Sequence, residues 1–211
     1  YEAYKSQPIV QSFMLREMTM SVKTGERKHQ ILQMLAEMLE QPRAARITTA
    51  ALAARLQCSE AALYRHFASK AQMFEGLFEF IETTVFTLVN QIVASEANGV
   101  EQARKIAVML VTFAERNRGM TRVLSGDALV TEDERLQARV SQITERIETT
   151  FKQALRGAIT GGTLAPTTEV TPMAALLTHC VLGSWLRFAQ SRWQASPTTH
   201  IDAQLRLILG A

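Results

Sequence analysis

The residues with the most evident chemistry stand close together, between Thr48 and Lys70 of the 211-residue chain. Glu60, Tyr64, Arg65 and His66 share one face of a short helical stretch, and Ser69-Lys70 follows at once. Such a set offers hydrogen-bond donors and positive charge but no reaction, because His66 has no carboxylate base or nucleophile aligned with it in the same short segment. It suits a phosphate-bearing surface instead. A helix starting after Ser69 would aim backbone N–H groups at an anion, and Thr48 and Thr49 would do the same one helix earlier. Base edges would fall to Ser59, Glu60 and Ala61 at the start of the stretch, with Arg65 the best long donor. Small residues there limit reach, so few base contacts and a strong dependence on phosphates and salt are expected.

Three helices must position these groups. Thr48 and Thr49 stand where an N-cap belongs, and Ala51, Leu52 and Leu56 then recur at helical spacing. Gln57-Cys58 breaks the run. Ser59 caps a second helix with Ala62, Leu63 and Phe67 inward, and Ser69 caps a third. This is the layout of a helix-turn-helix, whose second helix lies in the major groove of double-stranded DNA.

The charge agrees. From Lys23 to Lys70 eight Lys/Arg face four Glu; from Ala71 onward 13 basic residues face 14 acidic, and residues 1–22 balance. All of the net +3 therefore sits around the motif, as a phosphate-binding surface requires. Two cysteines, Cys58 and Cys180, cannot form a scaffold of bridges. No signal peptide and no run near 18 apolar residues is evident, so a cytoplasmic protein with no membrane partner is expected. The four histidines are scattered, and no nucleophile elbow, phosphate-cradling glycine loop or paired-carboxylate set occurs, so neither enzyme, metal nor cofactor is expected.

Residues 1–22 lack helical periodicity and are expected to be disordered or a non-native extension, and 23–70 to be the DNA-binding head. A first helix is predicted over 24–40, with Ile31, Leu35, Met38 and Leu39 inward. A long fourth helix, Ser69 to Ser95, is apolar on more than one face, so it either lies between packed layers or contributes to a groove for a partner. Helices are predicted at Glu101–Arg116, ended by Gly119 as a left-handed cap, at Met120–Leu124 and at Glu132–Arg156. Residues 157–170 form a glycine-rich loop, after which Thr171-Pro172 opens a helix nearly free of charge, and Pro197-Thr198 begins the last. These final two helices expose more apolar surface than one chain can hide. Leu177, Val181, Trp185, Phe188, Ile201 and Leu205 are expected to join two copies through a four-helix interface. Met109, Phe113 or Trp185 could alternatively line a pocket for an inducer.

The run Ala62-Leu63-Tyr64-Arg65-His66-Phe67-Ala68-Ser69-Lys70 resembles the signature of the TetR family. That resemblance implies an all-α fold of about nine helices, an N-terminal three-helix helix-turn-helix domain followed by a helical dimerisation domain over 71–211. It also implies that Tyr64, His66 and Lys70 clamp the DNA backbone. Further segments, LFEFIE and FAERNRGMTRVLSGDAL, are similar to the nucleoid-occlusion regulators within that family. The similarity implies a homodimer on specific palindromic sites, associated with the nucleoid, that captures the C-terminal tail of the division protein FtsZ and antagonises Z-ring assembly. Phe80, Arg116 and Asn117 match the groove for that tail: Phe80 for apolar contact, Arg116 as the cation. The chain departs from the family at Leu88, where a basic residue is expected, and at Thr112, where glycine is. A ligand-responsive repressor is the alternative, and a DNA-compacting protein without specificity fits less well, because the positive charge is confined to one motif.

Overall fold

The computed structural model describes residues 23–41, 47–126 and 134–210. Nine helices and no strand occur among them: α1 (Lys23–Leu39), α2 (Thr49–Arg55), α3 (Glu60–Tyr64), α4 (Lys70–Ser95), α5 (Gly99–Arg116), α6 (Arg118–Leu124), α7 (Glu134–Thr160), α8 (Val170–Gln190) and α9 (Ile201–Leu209). The expectation for residues 1–22 lies outside the described residues.

Helix α4 is the spine. Its buried side chains occupy two stripes, one with Phe74, Phe78 and Val85 and one with Met73, Leu77, Ile81 and Leu88, because it packs against α1 on one side and α5 and α7 on another. Contrary to the expectation from sequence, α4 is long and apolar enough to cross a membrane by length and composition alone, but half of that stretch is buried inside the fold. Arg139 and Arg146 of α7 both reach Glu82 of α4, and the Arg146 guanidinium lies 3.7 Å from the centre of the Phe86 ring.

Several element ends differ from the sequence reading, each for a local reason. Asn98 is an N-cap: its Oδ1 accepts from the N–H groups of Val100 and Glu101, so α5 begins at Gly99, ahead of the expected Glu101. A Cβ on Gly99 would lie 2.2 Å from the carbonyl oxygen of Ala154, so glycine there allows α5 to cross α7. Gly119 is not a left-handed cap. It sits inside α6, where a Cβ would lie 1.9 Å from the carbonyl oxygen of Ala36, and its task is to bring α6 onto α1. Helix α7 runs on to Thr160 because the terminating residue is Gly162, at φ 73°, with Thr163 N–H donating back to Ala158. Helix α8 begins at Val170, which puts Pro172 in the first turn but not at its first position, and α9 begins at Ile201 rather than near Pro197.

The end of α1 is held by the rest of the chain. The Trp193 indole donates to the carbonyl of Glu40 at 2.9 Å, and Arg122 donates to those of Leu39 and Gln41 at 3.2 and 3.1 Å. These are the carbonyls a helix C-terminus leaves without partners, here supplied from over 80 residues away.

Candidate functional site

The segment from Thr48 to Lys70 is built by local capping. Thr48 Oγ1 accepts from the Ala51 N–H, Ser59 Oγ from Ala62 and Ser69 Oγ from Gln72, each starting a helix. Gln72 also reaches back to accept from the Ala68 N–H at 2.8 Å, a reciprocal bond resembling a capping box. Between α2 and α3 the chain turns at Gln57, φ 51°, with Cys58 N–H donating to Ala53 and Gln57 N–H to Ala54. That is a Schellman ending with glutamine at the left-handed position that glycine usually fills. Leu52, Leu63 and Phe67 are buried beneath these helices, and the opposite face is left to solvent.

On that face Tyr64 is 45% exposed, Arg65, Glu60, Ala61 and Ser59 are exposed, and Thr49, His66 and Lys70 are half-buried. Thr49 links three of the residues: its hydroxyl donates to Glu60 Oε2 at 2.5 Å and accepts from the Tyr64 hydroxyl at 3.5 Å. Glu60 is thus turned toward α2, and Tyr64 is held over the gap between α2 and α3. Lys70, the first residue of α4, lies 5.7 Å from the centre of the Phe74 ring. Of the nine expected nucleotide-contacting positions, hydrogen bonds join Thr49, Glu60 and Tyr64, and all nine are exposed or half-buried.

The second candidate region lies where α1, α4 and the α5–α6 turn meet. Phe80 is half-buried there while Leu77, Phe78 and Ile81 around it are fully inside. Phe80 and Asn117 line one cavity, with His29, Leu32, Gln33, Ala36, Glu37, Glu40, Leu77 and Met120. The Asn117 Nδ2 donates to the Phe113 carbonyl at 2.7 Å, ending α5. Arg116 is exposed beside it but is not a lining residue of this cavity.

Residues 97–210 match the family of tetracyclin repressor-like C-terminal domains, SlmA-like, and residues 31–77 match the bacterial regulatory proteins of the tetR family. Over 178 residues the chain is 48% identical to the nucleoid occlusion factor SlmA of Marinomonas sp. strain MWYL1, covering 84% of this chain and 90% of that one. It is 44% identical to the SlmA of Shewanella baltica strain OS155 over 191 residues, 90% and 96% of the two chains. The chain belongs to the SlmA family of nucleoid occlusion factors. Its fold is that of TetR-type regulators. It superimposes on CifR, solved with a 26-base-pair operator, with a TM-score of 0.67 at 18% identity over 86% of this chain and 95% of that one. With the fatty acid degradation regulator FadR from Bacillus halodurans the values are 0.70 and 11% over 87% and 98%.

Within the SlmA frame two sets of sequence expectations need correction. Leu177, Val181, Trp185, Phe188, Ile201 and Leu205 are each 2% exposed or less inside a single chain. A side chain with no accessible surface in one copy has none to bury against a second, so these six form the body's own core. Trp185 shows why: its indole N–H donates 3.1 Å to the Leu110 carbonyl on α5. The 3.6-residue period by itself puts the buried face of α8 outward. On α8 the exposed side includes Leu176, His179, Gly183, Leu186 and Arg187. Met109, Phe113 and Trp185 are likewise buried, at 5%, 1% and 1% exposure. Sequence reasoning also missed His29, Glu37 and Glu40, because their relation to Phe80 rests on how α1 crosses α4.

Proposed function

We propose that this SlmA-family protein acts as a homodimer that grips a palindromic DNA site through the head, residues 23–70. When bound there, it takes up the C-terminal tail of FtsZ and so antagonises Z-ring assembly over the chromosome. It is a binding protein rather than an enzyme, at work on the nucleoid in the cytoplasm. On the DNA side, Tyr64, His66 and Lys70 hold phosphates, helped by the backbone N–H groups behind Thr48, Thr49 and Ser69, while Ser59, Glu60, Ala61 and Arg65 meet base edges. The body, residues 71–211, pairs through the exposed stripe of α8, Leu176-His179-Gly183-Leu186, whose 3, 4, 3 spacing keeps it on one helix face, with exposed Arg187 at its edge. A Cβ on Gly183 would meet nothing within 4 Å, which leaves room for a second backbone to approach.

Phe80 carries the FtsZ reading. It is a partly exposed aromatic ring near the middle of α4, between buried Leu77, Phe78 and Ile81 and next to the Arg116-Asn117 turn. A ring in that setting offers apolar contact and Arg116 an exposed cation for an acidic, hydrophobic peptide. The test is fluorescence anisotropy of a labelled FtsZ C-terminal tail peptide titrated with the protein, with and without operator DNA. Saturable binding that falls at least tenfold in Phe80→Ala and Arg116→Ala, with DNA affinity unchanged, is expected. Absence of tail binding by a protein that still binds DNA would remove FtsZ from the reading.

A further inference from the structure

The cavity between α1, α4 and the α5–α6 turn has more than a peptide-contacting ring in it. Its volume is about 210 Å³, and Leu32, Ala36, Leu77, Phe80 and Met120 give it apolar walls. A cavity of ~150 Å³ lined by such side chains holds benzene, so this one accommodates a single ring with a short substituent. Its polar lining is Glu37, Glu40, His29, Gln33 and Asn117; the two amide donors are already engaged, Gln33 Nε2 donating to Glu37 Oε1 at 3.2 Å and Asn117 Nδ2 to the Phe113 carbonyl. Glu37 and Glu40 contribute carboxylates. His29 Nε2 is shielded from solvent and has no hydrogen-bond partner among the described residues; in the tautomer with the proton on Nδ1 it is an acceptor. Phe80 meets His29 edge-on, with ring centres 5.4 Å apart, and supplies an electron-rich face. Burial pushes the Glu40 carboxyl above the usual carboxylate range, Arg118 pulls it back and Glu37 pushes it up again. Arg118 thus offsets one of the two carboxylates and leaves the rim acidic.

We infer that this cavity is a binding site for a small amphipathic cation, an amine carried on an apolar body the size of one aromatic ring. The body lies against Leu32, Leu77 and Met120, and the ammonium meets Glu37, Glu40 and the lone pair of His29. An anion would meet two carboxylates, and a purely apolar ligand would leave His29 Nε2 without a partner. The position matters for regulation. Glu40 is the residue whose carbonyl receives the Trp193 indole, and Ala36 is the one that Gly119 touches, so an occupant sits at the joint between the DNA head and the body.

The test uses the full chain without peptide, titrated with 2-phenylethylamine, 2-phenylethanol and phenylacetate, while the methyl signals of carbon-13-labelled methionines are followed by NMR. The amine should shift the Met120 signal saturably and leave that of core Met109 in place. The alcohol should bind at least fivefold more weakly and phenylacetate not at all. The surface double variant Glu37→Gln/Glu40→Gln should weaken the amine at least tenfold. An unmoved Met120 signal, phenylacetate binding as well as the amine, or unchanged affinity in the double variant would each overturn the inference. The two readings share Phe80 and Asn117 but fail separately: loss of amine binding overturns this inference alone, and loss of tail-peptide binding overturns the FtsZ reading alone.

Discussion

The recognition segment and the head–body joint are held by opposite kinds of contact. From Thr48 to Gln72 every N-terminal cap bond joins residues three or four positions apart: Thr48 with Ala51, Ser59 with Ala62, Ser69 with Gln72 and Gln72 with Ala68. At the joint the partners are remote in sequence: Trp193 with Glu40, Arg122 with Leu39, Gly119 against Ala36. The first region is specified by which residues stand where. The second is specified only once helices cross. A DNA reader benefits from this split, because the surface that meets DNA is pre-formed by short-range bonds while its placement depends on the body.

The comparison is sharpest at Trp185. As a core residue with a buried indole bond, its change Trp185→Arg should abolish cooperative unfolding, since truncating a buried Trp alone costs about 3–5 kcal/mol and an unpaired buried charge adds to that. Circular dichroism melting reads this out. The contrasting change Leu176→Arg, on the exposed stripe, should leave a cooperative melt but give monomers by sedimentation; a folded, monomeric Trp185→Arg would return that residue to the interface. Next in size is Gly119→Ala. Forcing α6 off α1 should destabilise by about 1–3 kcal/mol in urea unfolding, the range for overpacking, and an unchanged midpoint would mean the crossing is slack.

Two smaller effects probe the local side. Lys70→Ala should weaken every duplex alike and reduce the slope of log affinity against log salt by about 1; loss confined to one DNA sequence would make Lys70 a base reader. Gln57→Gly should relieve a left-handed residue worth roughly 1–2 kcal/mol. Against that stands glycine's chain-entropy cost of roughly 0.5–1 kcal/mol. The melting point should therefore rise slightly, by about 1–2 °C, whereas a fall would show that the Gln57 side chain makes a contact worth more than the strain.

How much could be read beforehand follows the same division. The three N-caps and the inward Leu52, Leu63 and Phe67 were legible, and so was the doubled stripe of α4, because capping and helical period act within a turn or two. The faces of α8 and α9 were not. Both sides of α8 are apolar, so periodicity cannot tell the side that packs on α5 and α7 from the side left open, and Leu177, Val181, Trp185 and Phe188 lie on the packed side. Gly119 misled for a related reason: a glycine after a helix reads as a left-handed cap, and only the nearness of Ala36 shows that its small size was what mattered.

By itself, then, the sequence determined that the chain is helical, that a basic helix-turn-helix opens it, and which residues face outward on that motif. Capping, period and charge are properties of neighbours in the chain. The tertiary structure alone decided which apolar face of α8 is left for a partner. It alone closed α1 with an indole from the far end of the chain, and it alone set His29, Glu37 and Glu40 around Phe80. Those outcomes depend on where separate helices cross, and a crossing is fixed by packing of whole surfaces rather than by any local run of residues.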